Sequence, residues 1–176
     1  MFSFKERNQM IQQLKEGAFD LIIIGGGITG AGVALQAAAS GLSVALLEMQ
    51  DFAEGTSSRS TKLVHGGLRY LKTFDVEVVA DTVSERAIIQ GIAPHIPKAD
   101  PMILPIFDEP GSTFNLFSVK VAMDLYDHLA GITGGKYANY MLSKEEILER
   151  EPQFASEVLL GGGVYLDYSN NDARLV

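Results

Sequence analysis

Phe19-Asp20-Leu21-Ile22-Ile23-Ile24 runs directly into Gly25-Gly26-Gly27. A β-branched segment that is apolar at nearly every position reads as a strand buried on both faces. The glycines end it. The small apolar stretch 28–40 (ITGAGVALQAAAS) suits a helix packed closely on a sheet, with Gly41 placed as its C-terminal cap. Leu42 to Glu48 then reads as a second strand. Strand, glycine turn, helix and strand make a βαβ crossover, which commits the chain to an α/β fold.

Gly25-x-Gly27-x-x-Gly30 has the spacing of a dinucleotide fingerprint. Its first glycine allows a tight turn, its second lets the backbone approach a pyrophosphate, and its third lets helix and strand pack closely. Ile28 and Thr29 fall on the first helical turn, where unpaired N–H groups and the helix dipole favour an anion. Glu48 ends the second strand 18 residues beyond Gly30. A carboxylate there accepts hydrogen bonds from ribose hydroxyls and repels a 2′-phosphate, which argues against NADP. FAD and NAD share the ADP moiety, so the fingerprint does not separate them.

Further along, residues 4–16 read as a short polar helix with Met10, Ile11 and Leu14 on one side. Residues 49–62 (MQDFAEGTSSRSTK) are polar and too long for a tight turn. Gly55 to Lys62 offers five hydroxyls and two cations, suited to diphosphate oxygens or the polar edge of a ring; a solvated capping loop fits the composition equally. Leu63 to Tyr70 is odder, because Gly66-Gly67 inside an apolar segment carries an entropic cost. That suggests close approach of the backbone to a planar ligand or to another backbone. His65 and Arg69 lie four apart, on one face if helical. Arg69 suits a phosphate or carboxylate, and His65 suits proton exchange near neutral pH; a capped histidine and a surface arginine are the plainer reading.

The spacing predicts a helix over 75–91 through Val76, Val79, Val83, Ala87 and Ile88. Pro94, Pro97, Pro101 and Pro105 punctuate an irregular passage around a short strand, 102–107. A helix over 113–130 follows. Ser143-Lys-Glu-Glu146 is a capping box opening a short helix that ends before Pro152. Residues 163–168 read as a strand, and Asn170-Asn171-Asp172 as the cap of another helix.

Composition closes several routes. The chain has 176 residues, 47% of them apolar and 20% charged, an ordinary globular balance. Its net charge of −8 gives no footprint for nucleic acid. Cysteine is absent, which excludes disulfides, thiolate metal sites and cysteine nucleophiles. His65, His95 and His128 form no metal-ligand pattern, so no metal site is expected. The polar start reads as neither a signal peptide nor a membrane span, and the acidity favours a cytoplasmic location, with peripheral attachment to the inner membrane face as the alternative.

Residues 20–48 resemble the FAD-binding start of the glutathione-reductase-like flavoproteins. SSRSTKLVHGGLRYL (57–71) resembles the signature of FAD-dependent glycerol-3-phosphate dehydrogenases, and IAPHIP (92–97), VAMDLYDHLAG (121–131) and NNDARLV (170–176) extend the likeness, which is nearest the oxidase branch, the α-glycerophosphate oxidases. The resemblance implies a Rossmann-like FAD-binding domain of the glutathione-reductase/D-amino-acid-oxidase type, incomplete in this chain. It implies a lead-in over 1–18 and, over 19–176, the N-terminal part of that domain in a longer enzyme, so the remainder of the polypeptide is itself an expected partner. It implies oxidation of sn-glycerol 3-phosphate to dihydroxyacetone phosphate, with O2 or a quinone as electron acceptor. Gly25, Gly27, Gly30 and Glu48 would hold the ADP half of FAD, and Ile28 and Thr29 the helix end beside it. Thr56, Ser57, Ser60, Lys62, Leu63 and Gly67 would line the pyrophosphate and flavin. His65, Arg69 and Tyr70 would sit on the substrate side, with His65 as the base. An NAD-dependent dehydrogenase and a non-catalytic nucleotide-binding domain are the competing readings. A homo-oligomer is left open.

Overall fold

The chain forms two compact units, Met1–Lys62 with Asp172–Val176, and Leu63–Asn171. The computed structural model describes residues 3–112 and 114–176. In the first unit, α1 (Arg7–Glu16) follows a 3-10 turn, Phe4–Glu6. No α1 residue is buried, so the stripe of Met10, Ile11 and Leu14 packs into no core. β1 (Leu21–Ile24), α2 (Ile28–Ala39) and β2 (Val44–Leu47) form the expected crossover. The strands are parallel, with Leu21 opposite Val44 and Ile24 opposite Leu47. Asp20 pins their start: its Oδ2 accepts from the Ser43 N–H at 2.8 Å and the Ser43 hydroxyl at 2.7 Å. At the far end of α2, the Leu42 N–H reaches the Ala37 carbonyl at 3.1 Å and the Gly41 N–H reaches Ala38 at 3.0 Å. That nested pair satisfies two of the helix's orphan carbonyls.

The second unit is α3 (Val76–Ile92), β3 (Lys98–Phe107), α4 (Leu116–Leu129), β4 (Tyr140–Leu142), α5 (Lys144–Arg150) and β5 (Leu159–Ser169). Its sheet is antiparallel in the order β3-β5-β4. β3 begins four residues before the predicted strand and takes in Pro101 and Pro105, opposite Leu166 and Gly162. Proline fits there because β3 is an edge strand, where a missing N–H breaks no ladder. The predicted helix over 113–130 is α4; Thr113 lies outside the described residues. The capping box at α5 is formed, Ser143 and Glu146 each bonding the other's backbone N–H.

Among the described residues, three small clusters make the core of this unit. Val79 and Val83 of α3 pack on Tyr126 of α4; Ile106, Val119 and Met123 join β3 to α4; Leu142, Ile147, Leu159 and Val164 join β4, α5 and β5. The short α6 (Asp172–Leu175) belongs to the first unit. Among the described residues, no helix is long and apolar enough to cross a membrane.

Candidate cofactor and substrate-binding residues

The predicted residues fall into two groups. Gly25, Gly27, Ile28, Thr29, Gly30, Glu48, Thr56, Ser57, Ser60 and Lys62 belong to the first unit, and Leu63, His65, Gly67, Arg69 and Tyr70 to the second.

In the first unit the glycine turn is built for close approach. Gly25 holds φ +109° with open space where a Cβ would stand. A Cβ on Gly30 would run into the Gly25 carbonyl oxygen, so only glycine lets α2 start this close to β1. A Cβ on Gly27 would come within 2.9 Å of Ser57 Oγ. That hydroxyl accepts the Ile28 N–H, at the start of α2, at 2.8 Å, so a polar oxygen already sits where a helix N-terminus draws an anion. Glu48 Oε2 accepts the Gly26 N–H at 2.7 Å and Oε1 the Gln50 N–H at 3.0 Å. These bonds, Gly26 first, hold its carboxyl below the ordinary value. Each oxygen keeps a further lone pair, so an ionised Glu48 can still accept ribose hydroxyls.

The Ser/Thr loop contains a 3-10 turn, Thr56–Ser58, and Ser57 of this turn meets the helix start. Beyond it Lys62 adopts φ +63°, a costly backbone for a side-chain-bearing residue. Its ammonium donates to buried Asp172 at 2.7 Å and to the Ser58 carbonyl at 2.5 Å, and the Ser60 hydroxyl donates to the same Asp172 oxygen at 2.8 Å. Through these bonds Ser60 and Lys62, expected to line the pyrophosphate, tie the loop to α6 in this structure.

In the second unit, Leu63 and Val64 run beside the end of β5: Leu63 bridges Ser169, and the Val64 N–H donates to Tyr168 at 2.8 Å. His65 and Arg69 would share a face if the segment were helical, and it is not. Gly67 takes φ +70° and the 3-10 segment Leu68–Thr73 begins only after it. The reason lies at Gly66, which is buried with its peptide engaged on both sides. Its N–H donates to the Tyr126 hydroxyl at 3.1 Å and to Asp167 Oδ1 at 3.2 Å, while its carbonyl lies 2.9 Å from the Thr82 hydroxyl, which shares its one proton with the Val78 carbonyl at 2.7 Å. A Cβ there would land on the Tyr126 hydroxyl and on Val83 Cγ1. His65 is exposed, and its Nδ1 accepts the Gly67 N–H at 3.1 Å. Arg69 is exposed and donates to the Tyr70 hydroxyl at 3.0 Å, its guanidinium 4.9 Å from that ring. Arg69 also lines a cavity of about 350 Å³ with Lys72, Ile106, Phe114 and Tyr165.

Sequence reasoning missed Arg86, Tyr126 and Asp167. Arg86 is 4% exposed, yet its Nη1 donates to the Tyr126 hydroxyl at 2.8 Å and to Asp167 Oδ1 at 3.0 Å. The signal was present: Arg86 follows Val79 and Val83 on the stripe by which α3 enters the core, where a cation needs a partner. Burial pushes the Tyr126 phenol well above its ordinary value, so it stays protonated and can accept these bonds as a neutral hydroxyl.

The FAD dependent oxidoreductase family matches residues 20–176. Over 99% of this chain, alpha-glycerophosphate oxidase of Enterococcus casseliflavus is 74% identical and that of Streptococcus pneumoniae serotype 4 is 70% identical. The chain spans 29% of the length of each. The crystal structure of a Bacillus halodurans glycerol-3-phosphate dehydrogenase, complexed with FAD, superposes with a TM-score of 0.67 at 40% identity, covering 99% of this chain and 26% of that one. L-alpha-glycerophosphate oxidase of Mycoplasma pneumoniae shares the fold at a TM-score of 0.56 and 18% identity.

 That likeness covers 89% of this chain and 40% of the Mycoplasma chain, and it speaks for the fold alone. With the glycine turn, the crossover and the match over 20–176 together, the chain belongs to the FAD dependent oxidoreductase family.

Proposed function

We propose that this chain supplies FAD-binding and substrate-facing residues to an enzyme that oxidises sn-glycerol 3-phosphate to dihydroxyacetone phosphate, with O2 as electron acceptor and H2O2 as product. The observation that carries this reading is the 74% identity to an alpha-glycerophosphate oxidase over 99% of the chain. A quinone-linked dehydrogenase is the second reading, favoured by the 40% identity to the glycerol-3-phosphate dehydrogenase.

The residues present fit FAD. The glycine turn leaves open space beside Gly25, and beyond the Ile28 N–H that Ser57 holds the first turn of α2 has further N–H groups for a pyrophosphate. Glu48, held ionised, is the acceptor for the adenosine ribose. When bound, FAD supplies a two-electron acceptor for the hydrogen on substrate C2. The chain's own residues then have three tasks. Arg69 draws the substrate's phosphate into reach through its guanidinium. Tyr70 holds that guanidinium by its hydroxyl and its ring face. His65 takes the proton of the C2 hydroxyl as the carbonyl forms. With Nδ1 engaged by Gly67, a neutral His65 carries its proton on Nε2, so uptake at Nδ1 requires the Gly67 N–H to withdraw. The acidic net charge supports a cytoplasmic setting.

The test is the absorbance of the full-length protein at about 450 nm, where oxidised flavins absorb. Anaerobic sn-glycerol 3-phosphate is expected to bleach the band, and air to restore it rapidly with release of H2O2. Slow recovery in air that a quinone accelerates selects the dehydrogenase. A flavin band that the substrate leaves untouched overturns both readings.

A further inference from the structure

Four side chains from three elements converge on the backbone of Gly66. Arg86 and Thr82 come from α3, Tyr126 from α4 and Asp167 from β5. Asp167 and Tyr126 accept the Gly66 N–H, Arg86 bonds both of them, and the Thr82 hydroxyl lies within hydrogen-bond distance of the Gly66 carbonyl as well as of its own helix's Val78 carbonyl. Burying an ion pair as fully as Arg86 and Asp167, at 4% and 3% side-chain exposure, is a poor route to stability alone. Its desolvation is offset here by bonds aimed at a backbone group. Arg86 Nη1 also donates to the Leu166 carbonyl, and the guanidinium lies 5.5 and 4.7 Å from the centres of the Tyr126 and Tyr168 rings.

The held peptide directly follows His65. Upstream, the Val64 N–H is fixed to Tyr168 on the same β5. Downstream, the Gly67 N–H donates to His65 Nδ1. His65 thus stands between two backbone groups that the buried network and β5 fix, so its place is set even when the Gly67 N–H withdraws from Nδ1. We propose that Arg86, Asp167, Tyr126 and Thr82 are positioning residues for the oxidation, acting through the Gly66 peptide to hold the His65 ring. The proposal rests on the function proposed above.

The experiment uses the full-length FAD-loaded protein. Tyr126→Phe removes one hydroxyl and leaves the ring packed. Thr82→Val removes the bond to the Gly66 carbonyl at nearly constant volume, and Thr82→Ser restores the hydroxyl. Flavin content and thermal melting establish that each variant is folded. Anaerobic bleaching by substrate then separates rate from binding, and amide hydrogen exchange reports the segment 64–67. Tyr126→Phe and Thr82→Val are expected to slow bleaching about tenfold or more, the scale on which a small misplacement acts. The substrate concentration at half-maximal rate is expected to stay within about twofold. Exchange across 64–67 should accelerate, and Thr82→Ser should recover most of the rate.

Bleaching at the wild-type rate or faster in a folded Tyr126→Phe or Thr82→Val protein overturns the proposal. So does a rate that Thr82→Ser fails to rescue. If Tyr126→Phe does not fold, the Thr82 pair decides. A wild-type protein that substrate does not bleach removes the proposed function and the positioning role with it; a responsive wild type with unresponsive variants removes the positioning role alone.

Discussion

Gly66 has no room for a methyl group, because the space a Cβ would take holds the Tyr126 hydroxyl and Val83 Cγ1. Both neighbours sit in one buried cluster and neither can swing aside. Gly66→Ala is therefore expected to lower stability by about 2–3 kcal/mol, the upper range for overpacking, as read from denaturant unfolding of the full-length protein. A change within the scatter of surface substitutions contradicts the packing described. Arg69 makes the opposite case. It is exposed, and its ring partner Tyr70 packs against that same cluster without it. Arg69→Ala should leave melting and flavin content unchanged and lower kcat/KM about tenfold or more, the cost of one lost bond to a charged group. Flavin loss in that variant would move Arg69 from the substrate to the cofactor.

At the scale of elements, the β1–α2–β2 crossover depends on its first contact. The Ser43 hydroxyl, then the Ser43 N–H, hold the Asp20 carboxyl below its ordinary value of 3.8. A carboxyl lowered by folding contributes above its unfolded value, and the contribution is lost as pH falls through the lower folded one. Protection of the Ser43 amide, corrected for intrinsic exchange, should therefore persist to pH 3.8 and fall only below it. Loss that begins above that value would mean the carboxylate is not what holds the strand start. This crossover was legible in the sequence because its signals are local: a β-branched run, three glycines and an acidic strand end within thirty residues. β3 was only partly legible. Pro101 and Pro105 read as interruptions, and what makes them tolerable is an edge position set by pairing with β5, some sixty residues away. The site divides in the same way. The fingerprint glycines and Glu48 were visible by spacing, whereas Arg86 and Asp167 lie 81 residues apart and only the folded sheet brings them to Gly66. His65 and Arg69 stood out by residue type, but whether they share a helical face is not a local property: Gly67 turns the chain between them, and the 3-10 segment begins only after it.

For the whole molecule, the parallel pair is the informative element. Parallel sheets are normally covered on both faces. Here Ile22 is 60% exposed and Ile24 88% exposed, both on one side of β1. Uncovered isoleucines on a two-stranded sheet contribute little to stability and favour association with other apolar surface. The chain spans 29% of the length of its alpha-glycerophosphate oxidase relatives. Residues 1–176 expressed alone should therefore bind a hydrophobic dye strongly, and should form no H2O2 from sn-glycerol 3-phosphate even with added FAD. The full-length protein, assayed beside it, should do the reverse. Peroxide from the isolated stretch would show that this chain carries a whole oxidising site. Weak dye binding would show instead that β1 finds cover within these 176 residues or in a second copy, which the sedimentation coefficient of the same sample tells apart.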